Sequence, residues 1–108
     1  MSSNHHSIVI MTPAPGKADR VKEIMFKNAK LVLEKEPAAL KYEVFEQVDS
    51  EGVSVIVLEE TYETDAGFDA HIKTDYFLDT VKIGMEEGLL AVPMDVKVLK
   101  SFAGFSSR

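Results

Sequence analysis

The sequence has 108 residues, of which 45% are hydrophobic and 28% charged, and its net charge is −6. A chain of this size buries roughly two thirds of its unfolded surface, so we expect one globular domain, 1–108, with one core. Eighteen acidic residues against twelve basic ones make it a poor partner for nucleic acid or an anionic membrane. The absence of cysteine excludes disulfides, thiolate metal sites and cysteine nucleophiles.

The longest apolar runs, such as Ile8–Met11 and Val55–Leu58, are too short to cross a membrane. The N-terminal stretch MSSNHHSIVI lacks the basic region and the long apolar region of a secretory signal. We therefore expect a cytoplasmic protein.

The first half of the chain changes its hydrophobic period at clear breaks. A stretch dense in β-branched residues stops at PAPG, a helical stripe containing Val21, Ile24 and Met25 ends before Pro37, and two alternating runs flank DSEG. These signals predict a strand at His6–Thr12, a helix at Lys17–Lys35, a strand at Leu40–Val48, a hairpin turn at Asp49–Gly52 and a strand at Val53–Tyr62.

The second half predicts two helices and a final strand. Phe77, Val81 and Met85 recur at i, i+4 and i+8 along one side of the longer helix, and Pro93 interrupts the chain before the strand. The predicted elements are a short helix at Asp65–Lys73, a helix at Asp75–Gly88 and a strand at Met94–Phe102.

The predicted order is β-α-β-β-α-β, the ferredoxin-like α+β fold with a four-stranded antiparallel sheet. Helices cover one face of such a sheet. Both faces of the third strand are apolar, with Ile56 and Leu58 on one side and Val55 and Val57 on the other. The second face needs cover from another chain, so the pattern predicts a homodimer.

Three polar residues are candidates for proton transfer. Strand alternation puts Glu60 and Tyr62 on one face, and His71 follows on the short helix, where the three could converge. A histidine beside a carboxylate has its tautomer fixed and its basicity raised, which suits a general base. The alternative is structural, with His71 joining two packed elements through a hydrogen bond to Glu60.

Other polar positions carry weaker signals. Asn28 interrupts the apolar stripe of the long helix, so its amide either faces a polar pocket or lies at the helix margin. His5 and His6 are adjacent on a strand, so their rings point to opposite faces, and no metal site is predicted. Phe77 reads as core, and Tyr76 as a pocket wall or surface residue.

The stretch from residue 60 to residue 77 resembles the signature E-x-Y … aF-x-x-H-x-x-T-x-x-F of the antibiotic biosynthesis monooxygenase (ABM) family. The matching segments are Glu60–Tyr62, Phe68–His71, Thr74 and Tyr76–Phe77. The resemblance extends over nearly the whole chain. Ala38 stands where the family usually has glycine, so that turn must avoid positive φ.

The resemblance implies a dimeric α/β barrel whose pocket lies between sheet and helices. It implies an enzyme that deprotonates a quinol-like or polyphenolic aromatic and oxidises it with O₂, without metal or other cofactor. Isomerases or cyclases of small carbonyl compounds and non-catalytic ligand-binding dimers remain open alternatives. The chain lacks the tryptophan and the helix histidine of haem-degrading relatives.

Carried onto this sequence, the resemblance makes His71 the base, assisted by Glu60, with Tyr62 as a hydrogen-bonding wall. We expect Asn28, Phe68, Tyr76, Phe77 and Met85 to contact the substrate.

Overall fold

The computed structural model describes residues 4–47, 51–52 and 54–108. Their helices and strands, in chain order, are β1 (His5–Met11), α1 (Ala18–Lys35), β2 (Ala39–Glu46), β3 (Ile56–Tyr62), α2 (Asp65–His71), α3 (Asp75–Glu86) and β4 (Asp95–Leu99). The predicted ferredoxin-like order is confirmed. Of the predicted hairpin, Val48, Asp49, Ser50 and Val53 lie outside the described residues.

The strands form one antiparallel sheet in the order β2-β3-β1-β4. Val9 in the centre of the sheet pairs with Leu58 of β3 on one side and with Val96 of β4 on the other. The last strand is shorter than predicted, because its ladder with β1 runs only from Asp95 to Leu99. The residues that follow have no partner strand among the described residues.

Along β1 and β3, successive side chains point alternately to the inner and to the outer face of the sheet. In β1 and β3 every second side chain is buried, so Val9 and Leu58 face the helices. The apolar stripe of α1 packs against them through Val21, Ile24 and Met25. Burying each of these side chains stabilises the fold by about 1.5–3 kcal/mol before entropy is counted.

The outer face of the sheet has no helix over it in the described part of the chain. Val57 lies near one end of this face, paired with Ile10 of β1 and Phe45 of β2. Phe45 is 41% exposed. The same face also carries the ion pair of Glu59 and Lys41, so its apolar end around Val57 is the surface on which the predicted dimer depends.

Thr74 fixes the geometry of the junction between α2 and α3. Its hydroxyl donates to the carbonyl of His71 at 2.8 Å and accepts from the backbone N–H of Phe77 at 3.2 Å. This N-cap satisfies one of the free amides at the start of α3. It also holds the end of α2, where His71 lies, against the start of α3.

The turn before β2 adapts to Ala38 as the sequence requires. No residue other than glycine has a positive φ in the described chain. The carbonyl of Ala38 accepts from the backbone N–H of Glu63 at 2.9 Å. A Cβ on Gly67 of α2 would come within 3.2 Å of the Cβ of Ala38, so glycine permits this close contact between α2 and the turn.

Candidate functional site

His71 is the last residue of α2 and is only 4% exposed. Its Nδ1 lies 2.9 and 3.0 Å from the two carboxylate oxygens of Glu36, which follows the end of α1. An ionised carboxylate can only accept hydrogen bonds, so these contacts favour the tautomer of the neutral ring that carries its hydrogen on Nδ1. Nε2 then carries the free lone pair, as a general base requires.

Glu60 lies on the other side of the same imidazole. Its Oε1 is 3.6 Å from Nε2 of His71 and accepts a hydrogen bond from the hydroxyl of Tyr62 at 2.9 Å. The hydroxyl of Ser7 lies 3.5 Å from the second carboxylate oxygen. Burial raises the pKa of Glu60 above the ordinary glutamate value, and the hydrogen bond from Tyr62 and the nearby imidazoles oppose this effect only in part.

The three tyrosines around these carboxylates remain hydrogen-bond donors. Burial, reinforced by the neighbouring carboxylates, raises the pKa of Tyr42, Tyr62 and Tyr76 above the ordinary tyrosine value. Tyr62 donates to Glu60, and Tyr76 donates to Glu36. Each carboxylate is therefore held in place by one tyrosine as well as by its proximity to His71.

A cavity of about 750 Å³ opens in front of His71, between the inner face of the sheet and the helices. Its walls are mainly apolar, which matches a site for an aromatic ligand. The side chains that define it include Val9, Met11, Val21, Ile24, Met25, Asn28, Tyr42, Leu58, Glu60, Phe68, His71, Phe77, Thr80, Val81, Met85, Met94 and Val96.

Helix α3 forms one wall of this cavity, while its Ile83 packs against the hydrophobic core. None of its residues is buried, and Phe77, Val81 and Met85 all face the cavity. Met85 is 79% exposed, so the cavity opens to solvent at that end. The predicted apolar stripe is present, but its side chains face the cavity, which a ligand can fill.

The structure brings most of the predicted site residues together. His71, Glu60, Asn28, Phe68, Phe77 and Met85 all line the cavity. Tyr62 and Tyr76 do not line it, because the ring of Tyr62 is fully buried behind Glu60 and the hydroxyl of Tyr76 is directed at Glu36.

Glu36 is the residue that sequence reasoning missed. The predicted partner of His71 was Glu60, whereas the shorter contacts are to Glu36, 35 residues away in sequence. A signal existed. A glutamate at the C-terminus of a helix is disfavoured by the helix dipole, so its presence at the end of α1 indicates a hydrogen-bond donor or a cation nearby.

His5 and His6 point to opposite faces of the sheet, as predicted. His6 is 3.2 Å from the hydroxyl of Thr61, whereas His5 is buried, 2.9 Å from Asp65 and stacked on Phe68 with ring centroids 4.2 Å apart. Within residues 4–47, 51–52 and 54–108, no cluster of three or more histidine, aspartate and glutamate side chains is arranged to hold a metal ion. None of the described helices has the length and hydropathy to cross a bilayer.

Comparison with known proteins agrees with this architecture. Residues 5–83 match the profile of the family described as antibiotic biosynthesis monooxygenase. The chain belongs to the antibiotic biosynthesis monooxygenase family. A comparison with the curated proteins finds no significant match.

Solved structures similar to this ABM protein share its fold over almost the whole chain. A Pseudomonas aeruginosa protein is 22% identical with a TM-score of 0.82, covering 95% of this chain and 98% of its own. A Mycobacterium tuberculosis protein is 22% identical with a TM-score of 0.83, covering 96% and 100%. A Nitrosomonas europaea protein, assigned provisionally to the same monooxygenases, is 20% identical with a TM-score of 0.82, covering 94% and 92%.

The raised pKa of Glu60 makes a stability prediction. In the folded protein this carboxyl holds its proton to a higher pH than in the unfolded chain, so its contribution is present below about pH 4.5 and is lost as pH rises through the folded pKa. Glu60→Gln stays neutral and still accepts from Tyr62. We expect the free energy of unfolding of Glu60→Gln to exceed that of wild type by about 1 kcal/mol at pH 8 and to equal it near pH 4.

Denaturant titrations at the two pH values measure this effect. Glu59→Gln is the matched control, because Glu59 precedes Glu60 on β3 but points to the outer face, where it pairs with Lys41. It should not stabilise the protein at pH 8. A Glu60→Gln variant less stable than wild type at pH 8 would show that the ionised carboxylate is fully compensated in the fold.

Proposed function

We propose that the protein is a monooxygenase that deprotonates a quinol-like or polyphenolic aromatic and lets the resulting anion react with O₂. The observation that carries this proposal is the orientation of His71. Its Nδ1 contacts Glu36, which leaves Nε2 as the basic atom of a histidine that lines an apolar cavity. Membership of the ABM family supports the same class of reaction.

In the first step, Nε2 of His71 takes the acidic proton of the substrate. The imidazolium that forms lies between Glu36, 2.9 Å from Nδ1, and Glu60, 3.6 Å from Nε2. Two carboxylates stabilise this cation in a buried site far more than water-exposed ones would. Tyr62 and Tyr76 keep the carboxylates in position for that moment.

The apolar walls then favour the second step. A delocalised aromatic anion and O₂ are both accommodated by a cavity lined by side chains such as Phe68, Phe77 and Leu58. The substrate itself supplies the electrons. For an anthrone-like substrate, the methylene carbon loses two hydrogens and gains one oxygen atom of O₂, and the other oxygen atom leaves as water.

An oxygen electrode tests the proposal. Purified protein given a panel of hydroquinones and anthrone-type phenols should consume O₂ faster than the uncatalysed reaction for at least one of them. The rate should rise with pH as the substrate loses its proton, and EDTA should leave it unchanged. Uptake no faster than the uncatalysed reaction across the panel would favour the isomerase or ligand-binding alternative, and inhibition by EDTA would point to metal chemistry.

We also propose that the protein works as a homodimer joined through the outer face of the sheet. Light scattering at micromolar concentration should give twice the 12.0 kDa mass of the chain. Val57→Lys should convert the dimer to a monomer, because the charge would be buried in the apolar patch that Val57 forms with Ile10 and Phe45. Leu33→Lys is the control, since Leu33 is 84% exposed on α1, away from the sheet face. A monomeric wild type would refute the dimer.

A further inference from the structure

The amide of Asn28 has a fixed orientation. Asn28 is 7% exposed in the middle of α1, and its Nδ2 donates to the hydroxyl oxygen of Thr80 at 2.9 Å. The hydroxyl of Thr80 donates its one hydrogen to the carbonyl of Tyr76 at 2.8 Å. The oxygen of Thr80 can therefore only accept from Asn28. The NH₂ group of Asn28 must face Thr80, and its Oδ1 faces away.

No described residue donates a hydrogen bond to Oδ1 of Asn28. This oxygen is also not fully enclosed by protein, because the one enclosed polar side-chain atom without a partner, within the described chain, is Nε2 of His5. Asn28 lines the cavity in front of His71. A buried amide oxygen normally accepts a hydrogen bond, so this one is available to a ligand.

The surroundings of Asn28 decide what kind of group it can accept. Its neighbours on the cavity wall are apolar, among them Ile24, Met25 and Val81, and none of the described lining residues is a lysine or an arginine. An anionic substituent would lose its hydration without gaining a cationic partner there, and Oδ1 itself can only accept a hydrogen bond. A hydroxyl group would satisfy Oδ1 at no such cost.

Helix geometry places this acceptor away from His71, toward the open end of the cavity. Asn28 precedes Glu36 by two turns of α1, a rise of about 12 Å, and Thr80 follows Tyr76 by one turn of α3, about 6 Å. Glu36 and Tyr76 are the residues that meet behind His71. Along the helices, Asn28 and the His71 end of the cavity are thus separated by roughly 6–12 Å, a span that two or three fused aromatic rings can bridge.

We propose that Oδ1 of Asn28 is a specificity site that selects a neutral, fused-ring phenol bearing a second hydroxyl group at the end remote from the one that His71 deprotonates. The placement of the first hydroxyl rests on the proposed function. The site for the second rests on the fixed amide of Asn28 alone. A site built to accept a hydroxyl rejects the analogue that lacks it, because its own oxygen is then left unpaired.

Equilibrium binding without O₂ tests the proposal. The probes are 1,5-dihydroxynaphthalene and 1-naphthol, which differ by one hydroxyl group, measured by calorimetry under anaerobic conditions. Wild type should bind the diol about tenfold more tightly. Asn28→Leu, of similar volume, should lose that preference while its Kd for 1-naphthol stays within about twofold of wild type.

Two variants of Thr80 separate a specificity role from a packing role. Thr80→Val removes the acceptor that orients the amide, so the preference for the diol should fall at least about threefold. Thr80→Ser keeps the hydroxyl and should keep the preference. Equal weakening of both ligands by Asn28→Leu, an unchanged preference in that variant, or no preference in wild type would each overturn the proposal.

The binding preference for the diol can be measured whether or not the protein oxidises a substrate. His71→Asn should retain the preference for the diol, because Asn28 is intact in it. A clear diol preference together with no oxygen uptake would contradict the proposed oxidation and leave the specificity site standing. Oxygen uptake with no diol preference would contradict the specificity site alone.

Discussion

Replacing His71 by asparagine is expected to lower the rate of substrate oxidation at least about 100-fold while leaving the fold intact. The asparagine amide can place an N–H group near the position of Nδ1 and still donate to Glu36. It has no basic nitrogen to replace Nε2. Oxygen uptake at saturating substrate measures the loss, and thermal unfolding confirms that the variant is folded.

Two further variants support the interpretation of that result. His6→Asn changes a histidine on the opposite face of the sheet, so it should oxidise substrate at the wild-type rate. His71→Ala removes the hydrogen bond to Glu36 altogether and should destabilise the fold by about 1 kcal/mol, or more where the carboxylates are left unpaired. A His71→Asn enzyme with full turnover and unchanged melting would contradict both the catalytic and the structural role of His71.

Replacing Glu36 by glutamine is expected to reduce turnover by about 100-fold. Glutamine offers one acceptor oxygen where Glu36 offers two, and Tyr76 and His71 both donate to Glu36. An NH₂ group facing Nδ1 would favour the other tautomer and turn Nε2 into a donor. The imidazolium formed during the reaction would also lose one of its two carboxylates. The variant should retain substrate binding, so kcat should fall much more than KM rises.

Glu34→Gln is the matched control for this substitution. Glu34 lies two residues earlier at the same end of α1 and is exposed. Its replacement by glutamine changes the net charge by the same amount as Glu36→Gln. It should leave turnover unchanged. Equal activity of Glu36→Gln and wild type would mean that His71 does not depend on Glu36 for its tautomer.

The fold was predictable because it depends on local patterns. Strand alternation around Ile56 and Leu58 and the helical stripe around Val21 specify which side chains are buried, and the structure buries them. The limits of β4 were less predictable. A strand ends where its partner ends, and that depends on pairing with β1 instead of on the composition of residues 94–102.

The candidate site was predictable only in part. The spacing from Glu60 to His71 lies within one segment of chain, so a motif can reveal it. Glu36 reaches His71 from another helix, and no local spacing records that contact. The role of α3 was open for a similar reason. The periodicity of Phe77 and Met85 shows that one face is apolar, but not whether that face meets a core or a cavity.

The tautomer of His71 in the free protein is the property on which the proposed chemistry depends. Nitrogen-15 NMR of the uniformly labelled protein measures it, and His71→Asn assigns its signals among the three histidines. The neutral ring is expected to carry its hydrogen on Nδ1, with Nε2 showing the chemical shift of an unprotonated nitrogen. A neutral ring with its hydrogen on Nε2 would contradict the assignment of this atom as the base.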